Sequence, residues 1–524
     1  MNSRLKRSVF TLATIALLLP LIGIAKKQTE ASATEESTTN KTEDKSTKDS
    51  DNRQFKPSYM TIDGNKHVKV DDWTDPRVCG QCHTEQYKGW NGSMHSNSFK
   101  DPVFQALWAI GEKKAREKGK DGFGFNMSNH CASCHSPIGT ATGTIKFNPD
   151  DGLHGSFSAP GVAAMGVSCD VCHTISGTNI NSTATLEHGN ASFITSPGKI
   201  KRANLKDAKS PYHETEYSEH HDSSKFCGNC HNIFHPVNNF PVERTYDEWK
   251  YSIYAQNGIQ CQDCHMVPVE VAEKVADTLK RPTELLEAET EGFAGLGGKM
   301  RKVIHKHGFV GGNAIVTDAL NKAKKGDKAE DVGSNSNYDA AVKRLRGVAT
   351  MEVNLKQKTD ILHQLDVKVT NKRAGHNLPT SLTEVREIWL EVIVTDDKGK
   401  ELFRSGTLDE GNNLPAETVV FNAHAVDKDG KHTHYPWEIT HFTNVNTIPP
   451  RGYKTSSYSF NVPKGTKTVN TKVILHYRSF SQILANELMG KDKLIVPNIE
   501  MIVDEHAFDP KKLNVDRYNK PEAH

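Results

Sequence analysis

The chain has 524 residues, a hydrophobic content of 36%, an aromatic content of 7% and a formal net charge of +2. A charge so near zero gives no reason to expect a nucleic acid or a strongly anionic partner. The low hydrophobic content indicates instead a cofactor that brings apolar surface of its own into the core.

The first 25 residues have the pattern of an export signal. Three basic residues within the first seven come before an apolar run from about Val9 to Ala25, as in a secretory signal peptide. An uncleaved N-terminal anchor is the alternative. Either one predicts a protein outside the cytoplasm, in the periplasm or at the cell surface. Residues 26–56 are almost free of apolar side chains, so we expect a disordered linker that also suits a membrane tether.

All ten cysteines fall in five CxxCH motifs, which lie within the segment 57–347. In such a motif two cysteines can form thioethers to the vinyl groups of one porphyrin, and the histidine ligates its iron. The sequence therefore predicts five covalently bound haems c. The attachment residues are Cys79, Cys82, Cys131, Cys134, Cys169, Cys172, Cys227, Cys230, Cys261 and Cys264, and the iron ligands are His83, His135, His173, His231 and His265.

Two other uses of paired cysteines fit the sequence less well. Structural zinc sites take four ligands, and five CxxC pairs, each followed by histidine, do not divide into such sites. Disulfides form in exported proteins, but they would leave the five histidines without a role.

Each iron needs a second axial ligand if it is to be six-coordinate, and twenty histidines lie outside the motifs. A six-coordinate iron passes electrons, whereas a five-coordinate iron can bind and transform a small molecule. The preferred candidates lie next to motifs or in glycine-flanked loops, and the others have weaker settings. The preferred set is His95, His213, His221, His307 and His376, and the weaker set is His154, His188, His220, His235 and His305.

The second half of the chain changes character. Residues 271–347 contain apolar positions at helical spacing, so we expect the haem domain, 57–347, to be mostly helical or irregular with a helical C-terminal part. Residues 348–505 contain short alternating runs broken by turn signals, which predict an antiparallel β-sandwich-like domain. Residues 506–524 are expected to be a tail. The four histidines at 424, 432, 434 and 441 are predicted to be surface residues, with an adventitious metal patch as the alternative.

Several motifs resemble those of multihaem c-type cytochromes. They are the run Tyr87, Trp90, Ser93 and His95, and the segments GVSCDVCHTI, KFCGNCHNIFHP, YDEWKYSIYAQNGIQCQDCHM, HGFVGGN and AGHNLPTS. The similar group includes hydroxylamine oxidoreductase and its tetrahaem acceptor. This resemblance implies haems packed in close pairs, mostly with two histidine ligands. The chain differs from the catalytic members because it has no CxxCK motif and no evident tyrosine crosslink arrangement.

Two functions follow as hypotheses. The first is electron transfer between redox partners, namely donor and acceptor cytochromes or membrane quinol-oxidising proteins, and the number of spare histidines favours it. The second is a reductase or oxidase of a small nitrogen or sulfur species at one five-coordinate haem. The β-rich domain is expected to cap the haem domain and to deliver His376, with a docking role as the alternative.

Overall fold

A computed structural model describes residues 53–119, 123–315, 336–513 and 515. The predicted export signal, nearly all of the predicted linker and most of the predicted tail therefore lie outside the described residues. From Arg53 on, the chain forms one compact unit, and the domain boundaries proposed above stay predictions. Within the described residues, no helix is both long and apolar enough to cross a membrane.

Short helices joined by loops form most of the part that carries the motifs. The longest, α4, begins with Pro102 after Asp101, whose carboxylate accepts hydrogen bonds from two backbone N–H groups of the first turn, as helix starts require. The helices are α1 (Pro76–Cys79), α2 (Thr84–Asn91), α3 (Met94–Asn97), α4 (Pro102–Glu117), α5 (Met127–His135), α6 (Pro137–Thr142), α7 (Cys169–His173), α8 (Ser224–Gly228), α9 (Thr245–Lys250), α10 (Ile253–Gln256), α11 (Cys261–His265), α12 (Val269–Thr278), α13 (Pro282–Leu285), α14 (Ser336–Gly347) and α15 (Gln482–Met489).

Short strands link these helices without forming a large sheet. They pair in twos and threes, which is the most that strands of two to four residues can support. The strands are β1 (Thr61–Ile62), β2 (Lys146–Asn148), β3 (Ser156–Ser158), β4 (Ile175–Thr178), β5 (Phe193–Thr195), β6 (Ile200–Ala203), β7 (Glu214–Tyr217), β8 (Ile233–Phe234), β9 (Pro241–Glu243), β10 (Gly292–Phe293) and β11 (Met300–Arg301).

In the described part of the predicted helical stretch at 271–347, helices alternate with other structure. Helices α12 and α14 coincide with the two periodic segments and α13 follows α12, but β10 and β11 form a hairpin after α13. Four glycines at 292, 295, 297 and 298 lie in or beside this hairpin. Glycine destabilises a helix by about 1 kcal/mol relative to alanine, so the segment does not continue as a helix.

Two antiparallel sheets form the second half of the chain. One has the strand order β12–β13–β19, and the other has the order β15–β14–β20–β21 with β16 also paired to β14. Their strands are β12 (Ala349–Gln357), β13 (Leu362–Asn371), β14 (Glu387–Thr395), β15 (Glu401–Ser405), β16 (Val420–Phe421), β19 (Tyr453–Asn461), β20 (Val469–Arg478) and β21 (Ile499–Phe508). Strands β17 (Ala423–Val426) and β18 (His441–Val445) pair with each other in a separate hairpin.

The two sheets share one hydrophobic core. Every second residue of β13 is buried, as expected for a strand with one face inside. Leu365 and Val367 from the first sheet and Leu390 and Val473 from the second are fully buried in the same cluster. The antiparallel sheets predicted for this part of the chain are thus present, and they pack face to face.

Hydrogen bonds hold the part of the β13–β14 connection that contains His376. Asn371, at the end of β13, is fully buried. Its side-chain amide donates to the carbonyl of His376 at 2.9 Å and accepts from the backbone N–H of Ala374 at 3.0 Å. One buried asparagine therefore orders the turn that precedes the histidine.

Candidate haem cavity

One cavity collects all five motifs. Its volume is about 2260 Å³, and all ten cysteines and all five motif histidines line it. The cysteines are free thiols and half-buried. Motifs separated by up to 182 positions, from Cys79 to Cys261, therefore open into one continuous space rather than into separate sites.

The motif histidines are held by their Nδ1 atoms. In four of them Nδ1 donates to a backbone carbonyl, and in His231 it lies 3.8 Å from the carboxylate of Glu243. A bond at Nδ1 fixes the tautomer and leaves the lone pair on Nε2 for a metal. The carbonyls belong to Ala294 for His83, Ser98 for His135 at 3.0 Å, Arg202 for His173 at 2.6 Å and Val310 for His265 at 2.7 Å.

Burial lowers the pKa of His135, His173 and His265 and so favours the neutral, metal-binding form of these three rings. It lowers the pKa of His135 to about 4 and that of His265 to about 3. His231 differs: burial lowers its pKa, but the Glu243 carboxylate more than compensates and leaves the pKa above the usual value. The carboxylate is itself 3% exposed, so it is a strong electrostatic partner.

Four of the motif histidines face a second histidine. A metal–imidazole bond is about 2.0 Å long, so rings on opposite sides of one metal ion have centroids roughly 6.3 Å apart. The observed centroid separations are 6.2 Å for His83 and His213, 6.2 Å for His231 and His95, 6.3 Å for His173 and His307, and 6.2 Å for His265 and His376.

The opposing histidines are oriented in the same way as the motif histidines. Nδ1 of His213, His307 and His376 contacts a backbone carbonyl at 3.0, 3.1 and 2.9 Å respectively. In His95 the Nδ1 atom is buried without a partner. Burial lowers the pKa of both His95 and His307 to about 3, so both rings are neutral at ordinary pH.

His221 differs from the other four preferred candidates. Its ring lies 5.9 Å from that of His173, but its Nε2 is 3.0 Å from the carbonyl of Cys172. Its Nδ1 is buried without a partner. The nitrogen that the other rings leave free is engaged here, and His221 does not face the one motif histidine that lacks a counterpart.

That remaining motif histidine is His135. Phe104 of α4 stacks on its ring, with centroids 3.6 Å apart and planes 5° from parallel. Leu484 and Leu488 of α15 and Trp108 also line this part of the cavity. Within the described residues, no histidine ring pairs with His135 at the separation seen in the other four motifs.

The weaker candidates make other bonds. His154 contacts the carbonyl of Glu487 at 3.0 Å, and His235 contacts that of Trp437 at 3.2 Å. His188 and His220 both contact the side chain of Asn229, at 3.1 and 3.2 Å. His305 lines the cavity, and its carbonyl contacts Nδ1 of His307.

The predicted surface histidines of the second half form contacts of their own. His424 and His432 stack with centroids 4.4 Å apart. In the described part of the chain, no three metal-ligating side chains come together as a metal site.

Thiols from different motifs are near enough to shift one another's pKa. Cys79 is paired in this way with Cys169, Cys134 with Cys230, and Cys227 with Cys261. Cys172 is also near enough to raise the pKa of Cys227 and Cys230. With the motifs numbered along the chain, the first thus adjoins the third in space, and the third adjoins the fourth. The second and the fifth both adjoin the fourth.

The first motif is the one whose residues between the cysteines are not buried. Gln81, between its two cysteines, is exposed, and Gly80 is half-buried. In each of the other four motifs both intervening residues are buried; for example, Ser133 is 0% and Asp263 is 2% exposed. The cavity therefore reaches the surface at the first motif.

Comparisons with known proteins indicate the class of protein. Residues 78–174, which include the first three motifs, match the family described as cytochrome c554 and c-prime. The fold is similar to a penta-haem cytochrome c552 from Thermochromatium tepidum, with a TM-score of 0.55 and 16% identity over 84% of this chain and 100% of that one. The cavity, motifs and fold together support a multihaem c-type cytochrome with covalently bound haem c.

Two further solved structures overlap less well. MtrC from Shewanella baltica is 12% identical over 52% of this chain and 47% of that one, with a TM-score of 0.16. The ApaA protein from Bordetella pertussis is 12% identical over 32% of this chain and 94% of that one, with a TM-score of 0.16. These scores carry no information on the function. No curated protein matches the chain.

Proposed function

We propose that the protein is an exported pentahaem c-type cytochrome that transfers electrons between redox partner proteins. The observation that supports this most is the set of four facing histidine pairs beside attachment motifs in one cavity. Each haem would supply a one-electron couple whose potential the protein sets through ligands, hydrogen bonds and burial. The chain itself supplies the thiols, the axial nitrogens and the exclusion of water.

The proposed axial pairs follow from the facing rings. They are His83 with His213, His231 with His95, His173 with His307, and His265 with His376. Carbonyl partners at Nδ1 keep Nε2 deprotonated and make the ring a better donor to a metal. A carboxylate partner does so more strongly, so we propose that Glu243 makes His231 the most basic of the motif ligands.

The proximity of thiols from different motifs supports a spatial order of the five proposed haems. The fourth motif adjoins three of the others, which makes it the junction. The first motif reaches this junction through the third, and the second and fifth reach it directly. Close packing of attachment sites is what a carrier of several electrons needs, whereas a single catalytic centre does not require it.

Haem counting and spin state test the proposal. A pyridine haemochrome assay should give five haems per chain, and electron paramagnetic resonance of the oxidised protein should show four low-spin haems with two histidine ligands. Fewer than five haems, or a high-spin majority, would contradict it. Mass spectrometry of the mature N-terminus should separate a cleaved signal from a retained anchor.

A second function is favoured by one observation, the absence of a histidine facing His135 among the described residues. We propose as the alternative that a small nitrogen or sulfur species reacts at the haem of the second motif. Phe104 and Leu484 make this surrounding apolar, and burial lowers the pKa of nearby His130 to about 4, so this ring is neutral at ordinary pH and is a poor proton donor. That favours the carrier over the reductase.

Ligand binding and turnover separate the two functions. Under both, the reduced protein should bind one carbon monoxide per chain, because one iron has an open position. Only a reductase should turn over nitrite, hydroxylamine or tetrathionate with a chemical electron donor. Membership of the group of hydroxylamine oxidoreductase is part of this second proposal and would gain support from such turnover.

We also propose that the β-rich part caps the haem cavity and delivers His376. The carboxylate of Glu248 accepts from the Asn377 N–H at 3.1 Å and from the Thr380 hydroxyl at 2.6 Å, which joins the loop to α9. His376→Met should raise the potential of one haem, because a thioether ligand favours the reduced iron. His424→Met, at an exposed site, is the control, and spectroelectrochemistry is the measurement.

A further inference from the structure

The surroundings of the first motif reach solvent from two sides. Gln81 is exposed on the side of His83, and on the opposite side Tyr212, the neighbour of His213, is 83% exposed. In the other four motifs both residues between the cysteines are buried. Electron tunnelling falls steeply with distance, so the first motif offers an outside protein the shortest approach.

Apolar side chains surround this opening. We call Val78, Tyr212, Phe293, Leu296 and Met300 the port surface, and each is between 50% and 83% exposed. The backbone N–H of Leu296 donates to the carbonyl of Cys82 at 2.9 Å, which holds the β10–β11 hairpin against the motif. Phe293 and Met300 are paired across the hairpin. Single exposed apolar residues are common, but several of them around one opening mark an interaction site.

Basic residues outnumber acidic ones in the segments that contain the port surface. Residues 75–88, 199–216 and 291–302 contain ten lysines and arginines and six aspartates and glutamates, and Lys201 is paired with Asp170 outside them at 2.8 Å. The remaining excess of three positive charges is larger than the net charge of the whole chain, +2. It also exceeds the two negative charges that the propionates of one haem would add.

We propose that the port surface is the docking site for a redox protein with an acidic rim around its own cofactor. The inference rests on the proposed electron-transfer function and adds where the partner binds and what charge it carries. The exposed apolar residues supply the centre of a small, weak interface. The basic rim speeds the encounter with an acidic partner.

Charge reversal tests the rim. The probe is reduced flavodoxin, a small acidic one-electron donor, mixed with the haem-loaded full chain in a stopped-flow instrument. Lys206 and Lys302 are exposed, so Lys206→Glu with Lys302→Glu should slow reduction by about tenfold at low ionic strength. The matched control is Lys491→Glu with Lys493→Glu, at exposed positions close to Ile495, which is 61% exposed; its rate should equal that of the wild type.

Binding without electron transfer gives a second readout. Leu296→Ser with Met300→Ser keeps the charge and removes apolar contacts, so it should weaken the binding of oxidised flavodoxin severalfold in titration calorimetry. It should leave the spin states of all haems as in the wild type. A wild-type rate for both port-surface variants, or slowing by the control, would overturn the proposal.

The two proposals can fail separately. Reduction by dithionite, a small donor, should be complete and equally fast in the wild type and in every variant. If dithionite reduces all haems but the port-surface variants react normally with flavodoxin, docking at this surface is wrong and electron transfer stands. If the wild type is reduced by neither donor, the electron-transfer function itself fails.

Discussion

Two histidines compete for the same position opposite His173, and the atoms they engage distinguish them. Nδ1 of His307 donates a hydrogen bond to the carbonyl of His305, whereas in His221 it is Nε2 that donates, to the carbonyl of Cys172. We therefore expect His307→Gln to convert one low-spin haem to high spin, because a sixth ligand is lost. His221→Gln should leave the low-spin count unchanged, and electron paramagnetic resonance measures both. The opposite pattern would exchange the roles of the two residues.

Glu384 predicts a pH dependence of stability. Both of its carboxylate oxygens are buried without a hydrogen-bond partner, and burial raises its pKa to about 8. The unfolded chain ionises this group near pH 4.3, so the folded state binds more protons between there and pH 8. The contribution of Glu384 to the free energy of unfolding is therefore fully present at low pH and is lost as the pH rises toward 8.

Replacing Glu384 by glutamine should remove this pH-dependent loss of stability. The free energy of unfolding in denaturant should rise more at pH 7.5 than at pH 5, because only the charged form is costly to bury. Glu410→Gln, at an exposed position, should change neither value. Equal effects of Glu384→Gln at the two pH values would contradict the expected titration.

At the scale of elements, the β-sandwich and the haem cavity are linked through the loop after β13. Leu365 of β13 is fully buried between the sheets, so Leu365→Ala should lower the free energy of unfolding by about 2–5 kcal/mol. Since this loop carries His376, the sheets and one low-spin haem signal should be lost at the same denaturant concentration.

Circular dichroism and haem absorbance measure those two transitions. Val503→Ala is the control, because Val503 is 48% exposed on β21 and its truncation should cost little. Two well-separated transitions in the wild type would show that the sheets do not support His376.

Elements with a strong periodic pattern could be predicted from the sequence. The alternation in 361–371 and 386–395 gave β13 and β14, and the helical spacing in 271–280 and 339–349 gave α12 and α14. The hairpin of β10 and β11 could not be predicted in this way, because its strands have only two residues each and no alternation can be seen over that length.

The site was predictable in part for the same reason. The CxxCH spacing is local, so the motifs could be read directly, and four of the five preferred histidines do face a motif histidine. The backbone carbonyls that accept from the motif histidines could not be predicted from the sequence, since every residue has a carbonyl. They belong to Ala294, Ser98, Arg202 and Val310. The engagement of Nε2 of His221 depends on Cys172, 49 positions away, and no local pattern reports such a contact.

For the whole molecule, the cavity of about 2260 Å³ predicts that resistance to protease depends on haem loading. An empty apolar cavity of this size is unfavourable, whereas the sheets of the second half have a core of their own. Chain made in a host without haem-attachment enzymes should be cleaved quickly by protease between residues 57 and 315 and slowly within 349–478. Mass spectrometry of the fragments measures this, with the haem-loaded chain as control; equal protection of both parts would contradict it.

The contacts between thiols of different motifs also constrain how the molecule is made. Cys79 meets Cys169, Cys134 meets Cys230, and Cys227 meets Cys261 across motifs that are far apart in the chain. In an oxidising compartment, uncapped thiols so close together form disulfides, and each such bond would destroy two attachment sites. Joining the porphyrins while the chain is still extended, before the tertiary structure closes around them, would avoid these bonds.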